Sequence, residues 1–92
     1  MYLIMSKNGQ IRIPKKIQKQ LNLIEGQYLF VYESKNCIMI EKHHEDETLN
    51  QCLFTNGKIT IPMELRRLCN INVREMFSIE VSCNKIILKK RN

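Results

Sequence analysis

What the sequence has little of narrows it first. No apolar run approaches the roughly 18 residues needed to cross a bilayer. The apolar start Tyr2-Leu3-Ile4-Met5 gives way to Ser6-Lys7, too short for a signal-peptide core and without a basic segment before it, so it reads as a strand of a soluble, cytoplasmic protein. The four cysteines, Cys37, Cys52, Cys69 and Cys83, include no C-x-x-C pair of the kind that holds zinc, and Cys52 and Cys69 fall on apolar positions. Reduced, mostly structural thiols are expected. Aspartate occurs once, at Asp46, and no serine or cysteine is spaced with a base so as to suggest a relay, which argues against an enzyme. His43-His44 beside Glu45 and Asp46 would be metal ligands only if preorganised, and neighbours in a flexible linker are not. No cofactor, metal or small-molecule substrate is expected. The chain has only three glycines and two prolines, and two of those glycines and both prolines sit in one repeated motif.

That motif is Asn8-Gly9-Gln10-Ile11-Arg12-Ile13-Pro14, and again Asn56-Gly57-Lys58-Ile59-Thr60-Ile61-Pro62. Asn-Gly signals a two-residue hairpin turn, since both residues tolerate positive φ. Ile-x-Ile then puts two β-branched side chains on one face of a strand. Proline stops the strand, and its fixed φ suits the first position of a helix. Subtracting 48 aligns the second half on the first without a gap, with ten of 44 pairs identical, among them Asn22/Asn70, Asn36/Asn84 and Lys42/Lys90. The chain reads as a duplicated unit.

Within the first unit, residues 2–6 and 10–13 are expected to form a hairpin, 14–21 a short helix, and 28–33 with 37–42 a second hairpin turning at Ser34-Lys35-Asn36. In the second unit the order repeats, with strands near 50–54 and 58–61, a helix over 62–69, and strands near 77–81 and 85–90. The aromatics Tyr2, Tyr28, Phe30, Tyr32, Phe54 and Phe77 fall mostly on strands and read as core or interface. Units 1–44 and 51–92 are thus joined by an acidic linker at 45–50. A unit of some 44 residues is too small to bury both its hairpins alone, so the two should share one core about a pseudo-twofold axis.

Fifteen Lys+Arg against nine Asp+Glu leave a formal charge of +6. Residues 1–44 hold seven bases and three acids, residues 51–92 eight and three, and the remaining acids, Glu45, Asp46 and Glu47, stand between them. Each half is therefore strongly basic, as suits an anionic partner or a solubilising surface.

The string Gly57-Lys58-Ile59-Thr60-Ile61-Pro62-Met63-Glu64-Leu65-Arg66-Arg67, then Asn70-Ile71 and a closing Ile86-Ile87-Leu88-Lys89-Lys90, resembles the DNA-binding domain of the AbrB/MazE/SpoVT family. Gly9 to Ile17 followed by Leu21 to Gln27 resembles the same family, so the likeness runs over nearly the whole chain. It implies a mostly β swapped-hairpin barrel with short helices, two β-β-α-β-β units forming an intrachain pseudo-dimer. It also implies a prokaryotic-type transcriptional regulator, nucleoid-associated, that contacts double-stranded DNA through basic residues of the first hairpin loop and the short helix. Carried onto this sequence, those positions are Lys58, Arg66 and Arg67. Their counterparts in the first unit are Gln10, Gln18 and Lys19, so the arginine pattern is missing there.

The residues themselves point the same way. Lys15 and Lys16 stand in the first turn of a helix, where the macrodipole disfavours cations unless a phosphate shares them. Arg66 and Arg67 lie opposite the Leu65/Leu68/Cys69 stripe and should face solvent or a ligand, where arginine can fork onto guanine. With Arg12 and Lys19, these complete the expected DNA contacts: Lys58, Arg66, Arg67, Arg12, Lys15, Lys16 and Lys19. Two other readings stand beside a DNA-binding regulator: an antitoxin-like autoregulator, and a protein-interaction module of the same fold that has lost DNA binding. The chain closes at Arg91-Asn92 directly after its last expected strand, so the acidic C-terminal tail that binds toxin in MazE-like antitoxins is not expected. Homo-oligomerisation is left open.

Overall fold

The structure, a computed structural model, describes residues 1–91. Its elements run β1 (Tyr2–Ile4), β2 (Gln10–Arg12), α1 (Lys15–Gln20), β3 (Tyr28–Ser34), β4 (Cys37–Glu41), β5 (Asn50–Leu53), β6 (Lys58–Thr60), α2 (Met63–Leu68), β7 (Met76–Ser82) and β8 (Lys85–Lys90). It is a mostly β fold with two short helices.

Hairpins form where the turn chemistry is strongest. Lys35 and Asn36 both have positive φ between Ser34 and Cys37, and Cys83 and Asn84 do the same between Ser82 and Lys85, the signature of a two-residue type I′ turn. The resulting β3–β4 and β7–β8 hairpins join through β4 and β8. The six-stranded sheet has the order β1-β7-β8-β4-β3-β5, so each half gives its first strand to the other half's hairpin: β1 pairs with β7, and β5 with β3. This exchange is the swapped-hairpin arrangement.

The sequence predicts a hairpin across Asn8-Gly9, and the structure corrects this. β1 does not pair with β2; it passes into the large sheet, while β2 crosses to pair with β6 in a separate two-stranded ribbon. Only the turn itself is local, and it too departs from the prediction. In the second half Thr55 and Lys58 exchange both backbone hydrogen bonds around Asn56 (φ 55) and Gly57 (φ 72), a two-residue loop. In the first half Ser6 N–H donates to Gln10 O and Gly9 N–H to Ser6 O around a three-residue loop, Lys7-Asn8-Gly9, in which Gly9 alone has positive φ. That is a turn closed by a glycine bulge.

The extra residue breaks the gapless register. Ile4 pairs with Met76 as Leu53 pairs with Tyr28. The partners differ by 48 (76 − 28), the strand residues by 49 (53 − 4). Burial agrees, for Met5 and Phe54 are both 1% exposed while Ile4 and Leu53 both face out.

Both helices end alike. The amide of Leu23 donates to Gln18 O and that of Ile71 to Arg66 O, six residues round, with Asn22 (φ 54) and Asn70 (φ 52) left-handed between. This is the Schellman closure, with asparagine where glycine is usual. Lys42 Nζ then donates to Asn22 O and Lys90 Nζ to Asn70 O, covering the last carbonyls with positive charge. At the other end the prediction shifts by one residue. Pro14 and Pro62 are N-caps with extended ψ (141° and 142°), and the helices start at Lys15 and Met63.

Between sheet, ribbon and helices lies one apolar cluster drawn from both halves, including Met5, Ile11, Ile17, Leu29, Phe54, Ile59, Leu65 and Phe77. Among the described residues no polar or charged side chain is buried. Leu68, expected in the apolar stripe of α2, is exposed, as are Tyr2 and Tyr28; Tyr2 instead carries the Arg91 guanidinium 4.6 Å above its ring.

Candidate nucleic-acid interface

The ribbon is the natural starting point because its two faces differ completely. Ile11 and Ile59 oppose one another and are sealed in the core. Period-2 alternation therefore turns Gln10, Arg12, Lys58 and Thr60 outward, with Gln10 opposite Thr60 and Arg12 opposite Lys58. Two cations directly across an antiparallel pair repel, where opposite charges would attract. Among the described residues the one ion pair is Lys85–Glu41 at 3.9 Å, so neither Arg12 nor Lys58 is neutralised by one. Arg12 Nη1 donates to Asn56 O at 3.3 Å, which leans it over the second turn.

Each end of the ribbon is tied to the other half's turn. Ile13 N–H donates to Gly57 O and Ile61 N–H to Gly9 O, both at 2.8 Å. A side chain from the following helix reinforces each tie. Gln18 Nε2 donates to Ile13 O at 2.7 Å, and Arg66 Nε to Ile61 O at 2.8 Å. These two residues occupy matching positions and lie across the opposite glycine, Gln18 over Gly57 and Arg66 over Gly9. Arg66, expected to face solvent or a ligand, is therefore half-buried and braced against the other half's turn. Arg67 is the exposed arginine of α2.

The basic residues gather in two hollows, each built from one half's helix and the other half's turn. Lys7, Met63, Arg66, Arg67 and Val73 line the hollow beside the Asn8-Gly9 turn. Beside the Asn56-Gly57 turn, Arg12, Lys15 and Gln18 line the other together with Glu25, and Lys15, Gln18 and Lys19 continue it along α1. Lys16 is exposed but lines neither. Both helices have only six residues, so the macrodipole argument for a phosphate at Lys15 and Lys16 loses its footing, since so short a helix sums few peptide dipoles. Sequence reasoning missed Lys7, because the longer loop that presents it shows only in the turn's hydrogen bonds.

It also missed Glu25. The Glu25 carboxylate accepts the amide of Asn56 at 2.9 Å through Oε2 and that of Gly57 at 3.1 Å through Oε1. These backbone bonds favour the charged form and hold its pKa below the ordinary glutamate value, with a smaller contribution from the Thr55 hydroxyl. The matching residue in the second half is Val73, exposed and unable to accept a hydrogen bond. Glu75 at that end accepts the amide of Asn72, as Gln27 accepts that of Ile24 in the first half.

The acidic linker is more ordered than its composition predicts. Asp46 Oδ1 accepts both the amide and the hydroxyl of Thr48, at 2.9 and 2.5 Å, which hold its carboxyl below the usual range. The amide of Asp46 donates to His44 Nδ1, and the His44 ring stands edge-on to Tyr32 at 4.9 Å. Tyr32 donates to Glu41, and burial with that carboxylate pushes its phenol up to about 12. Among the described residues no group of three His, Cys, Asp or Glu could hold a metal ion.

Residues 4–48 match the family model for MazE, a bacterial antitoxin of antidote-toxin recognition. The matched stretch is just under half the chain and runs from the last residue of β1 through β2, α1, β3 and β4 into the linker. The resemblance inferred from the sequence is thus met over the first half, in the AbrB/MazE-like superfamily. No curated protein and no solved structure matches the chain. Among the described residues no helix is long and apolar enough to cross a membrane.

Proposed function

We propose that the chain is a DNA-binding transcriptional regulator that sets the outward face of the β2–β6 ribbon against duplex DNA. The observation that carries this reading is Arg12 placed opposite Lys58 on an exposed ribbon, with no ion pair to either among the described residues. A major groove admits a two-stranded ribbon, and its flanking phosphates relieve the repulsion that the fold leaves standing. Lys15 and Lys19 extend the positive face along α1, with Lys16 adding to the field; Lys7 and Arg67 extend it on the α2 side. Arg67 has the free fork that reads base edges, and Arg66 supports it by bracing the turn beneath.

A salt series on duplex DNA tests this. Binding should weaken steeply with salt, and Arg12→Ala/Lys58→Ala should lower the log–log slope by about 1.8, two contacts at about 0.9 each. If the double variant binds as the parent does at every salt, the ribbon is not the contact. If the parent binds no duplex, the reading falls and the fold serves protein interaction alone.

The antitoxin match favours a second reading, an autoregulator that binds a toxin besides DNA. It predicts a protein partner retained from cell extract by the immobilised chain whether or not duplex is present. A partner that follows the DNA alone would count against it.

A further inference from the structure

We infer that the chain reads a DNA site lacking twofold symmetry, and lies on it in one orientation. This rests on the DNA-binding reading above. The two ends of the ribbon are tied to the opposite turns by matching backbone hydrogen bonds, yet they differ in turn length and in the charged groups they present. At the Asn56-Gly57 end the ribbon carries Arg12 and Lys58, and α1 supplies Lys15 and Lys19, compact point charges suited to phosphate. At the Asn8-Gly9 end the ribbon carries the neutral pair Gln10 and Thr60, and the cations are Arg67 on α2 and Lys7 in the longer loop. Lys7 has no counterpart in the shorter turn.

Glu25 makes the difference one of sign as well as type. Its carboxylate already takes the two turn amides of Asn56 and Gly57 that would otherwise be free to meet a phosphate oxygen. It also sets a negative charge in the hollow that Arg12 and Lys15 line. At the opposite end the matching residue, Val73, carries no charge. A palindromic operator offers identical groups to both ends. Ends that differ in charge, in donor geometry and in loop length cannot both be complementary to the same half-site, and one of them would leave contacts unmade. The complementary partner is a duplex with one half read by the Arg67 fork and the other held mainly through its backbone.

Selection of the full chain on random duplex, followed by hydroxyl-radical footprinting of the selected site, tests the inference. The expected consensus is not palindromic. Lys7→Ala/Arg67→Ala should lose protection on one half of the site, and Lys15→Ala/Lys19→Ala on the other. All four residues are exposed, so an unchanged thermal midpoint shows that these variants still fold. Glu25→Gln should deepen protection only on the half that the Lys15/Lys19 variant loses. A palindromic consensus, with both double variants weakening both halves equally, would overturn the inference while leaving DNA binding intact. Failure of the parent to bind any duplex would instead remove the proposed function, and this inference with it.

Discussion

Gly9 lies directly beneath the guanidinium of Arg66, so close that a Cβ on Gly9 would come within 2.3 Å of the Arg66 Cζ. Arg66 cannot swing aside without giving up its hydrogen bond to Ile61 O. Gly9→Ala should therefore suffer twice. A left-handed φ of +83° costs an L-residue about 1–2 kcal/mol, and the displaced hydrogen bond adds about 0.5–1.5 kcal/mol. Gly26 gives the control, with φ +87° and nothing within 4 Å of an added Cβ, so Gly26→Ala should show the backbone cost alone. Urea unfolding of both variants, and of Gly9→Ala in an Arg66→Ala background, separates the two contributions. Equal losses for Gly9→Ala and Gly26→Ala would mean that the Arg66 brace carries no energy.

The sequence reading was right about the two-residue turn at Asn56-Gly57, one residue short at Asn8-Gly9, and wrong about what both turns join. Asn-Gly is a local signal, legible because the backbone needs positive φ there. The partner of β1 is chosen by which apolar faces complete the core, and that is not local. The repeated identities Asn22/Asn70 and Lys42/Lys90 were visible as identities, and their reason is the left-handed closure and the ammonium over the last carbonyls. None of the ten identities lies before Asn8, so nothing upstream fixed the register, and the one-residue offset of β1 could not be read. Arg66 was misplaced because helical periodicity separates core from non-core faces and does not distinguish open solvent from the neighbouring turn of the other half.

Glu25 should make stability depend on pH in a definite sense. Its folded-state pKa is depressed by the Asn56 and Gly57 amides. The stabilisation is thus complete above the unfolded value of about 4.3 and is lost as pH falls through the lower folded value. Asp46 has a depressed value too and acts in the same direction. Urea midpoints between neutral pH and about pH 3 should fall for the parent, and fall less for Glu25→Gln. An identical decline in the variant would place the acid sensitivity elsewhere.

Deleting Lys7 should be tolerated. The shortened loop Ser6-Asn8-Gly9-Gln10 reproduces the two-residue turn Thr55-Asn56-Gly57-Lys58, and changing loop length by one residue is a small entropic matter. Amide hydrogen-exchange protection in β1 and β2 should persist, with stability within about 1 kcal/mol of the parent. Loss of protection in β1 would show that the bulge is needed to steer the strand into the large sheet.

The thiols should separate by reactivity. Cys83 is exposed at a hairpin tip, whereas Cys69 is buried and Cys52 half-buried, and burial raises the pKa of both. A higher pKa means less thiolate and slower reaction at mildly alkaline pH. Under native conditions Cys83 should react first and Cys69 last, with all four titrating after unfolding. Stability should not respond to reductant. Fast labelling of Cys69 in the folded chain would contradict the packing described for α2.

The exchange of first strands also governs when the chain can fold as it is made. β1 is made well before its partner β7, which begins at Met76, and β3 waits for β5 to cover its edge. At roughly 5–20 residues per second, several seconds pass with β1 unpaired and the apolar side chains of the first half uncovered. Folding of the shared sheet is thus postponed until β7 has emerged. A nascent chain arrested at residue 48 should be cut readily by protease where the full chain resists, and should draw chaperones to the faces of β1 and β3 that the second half later closes.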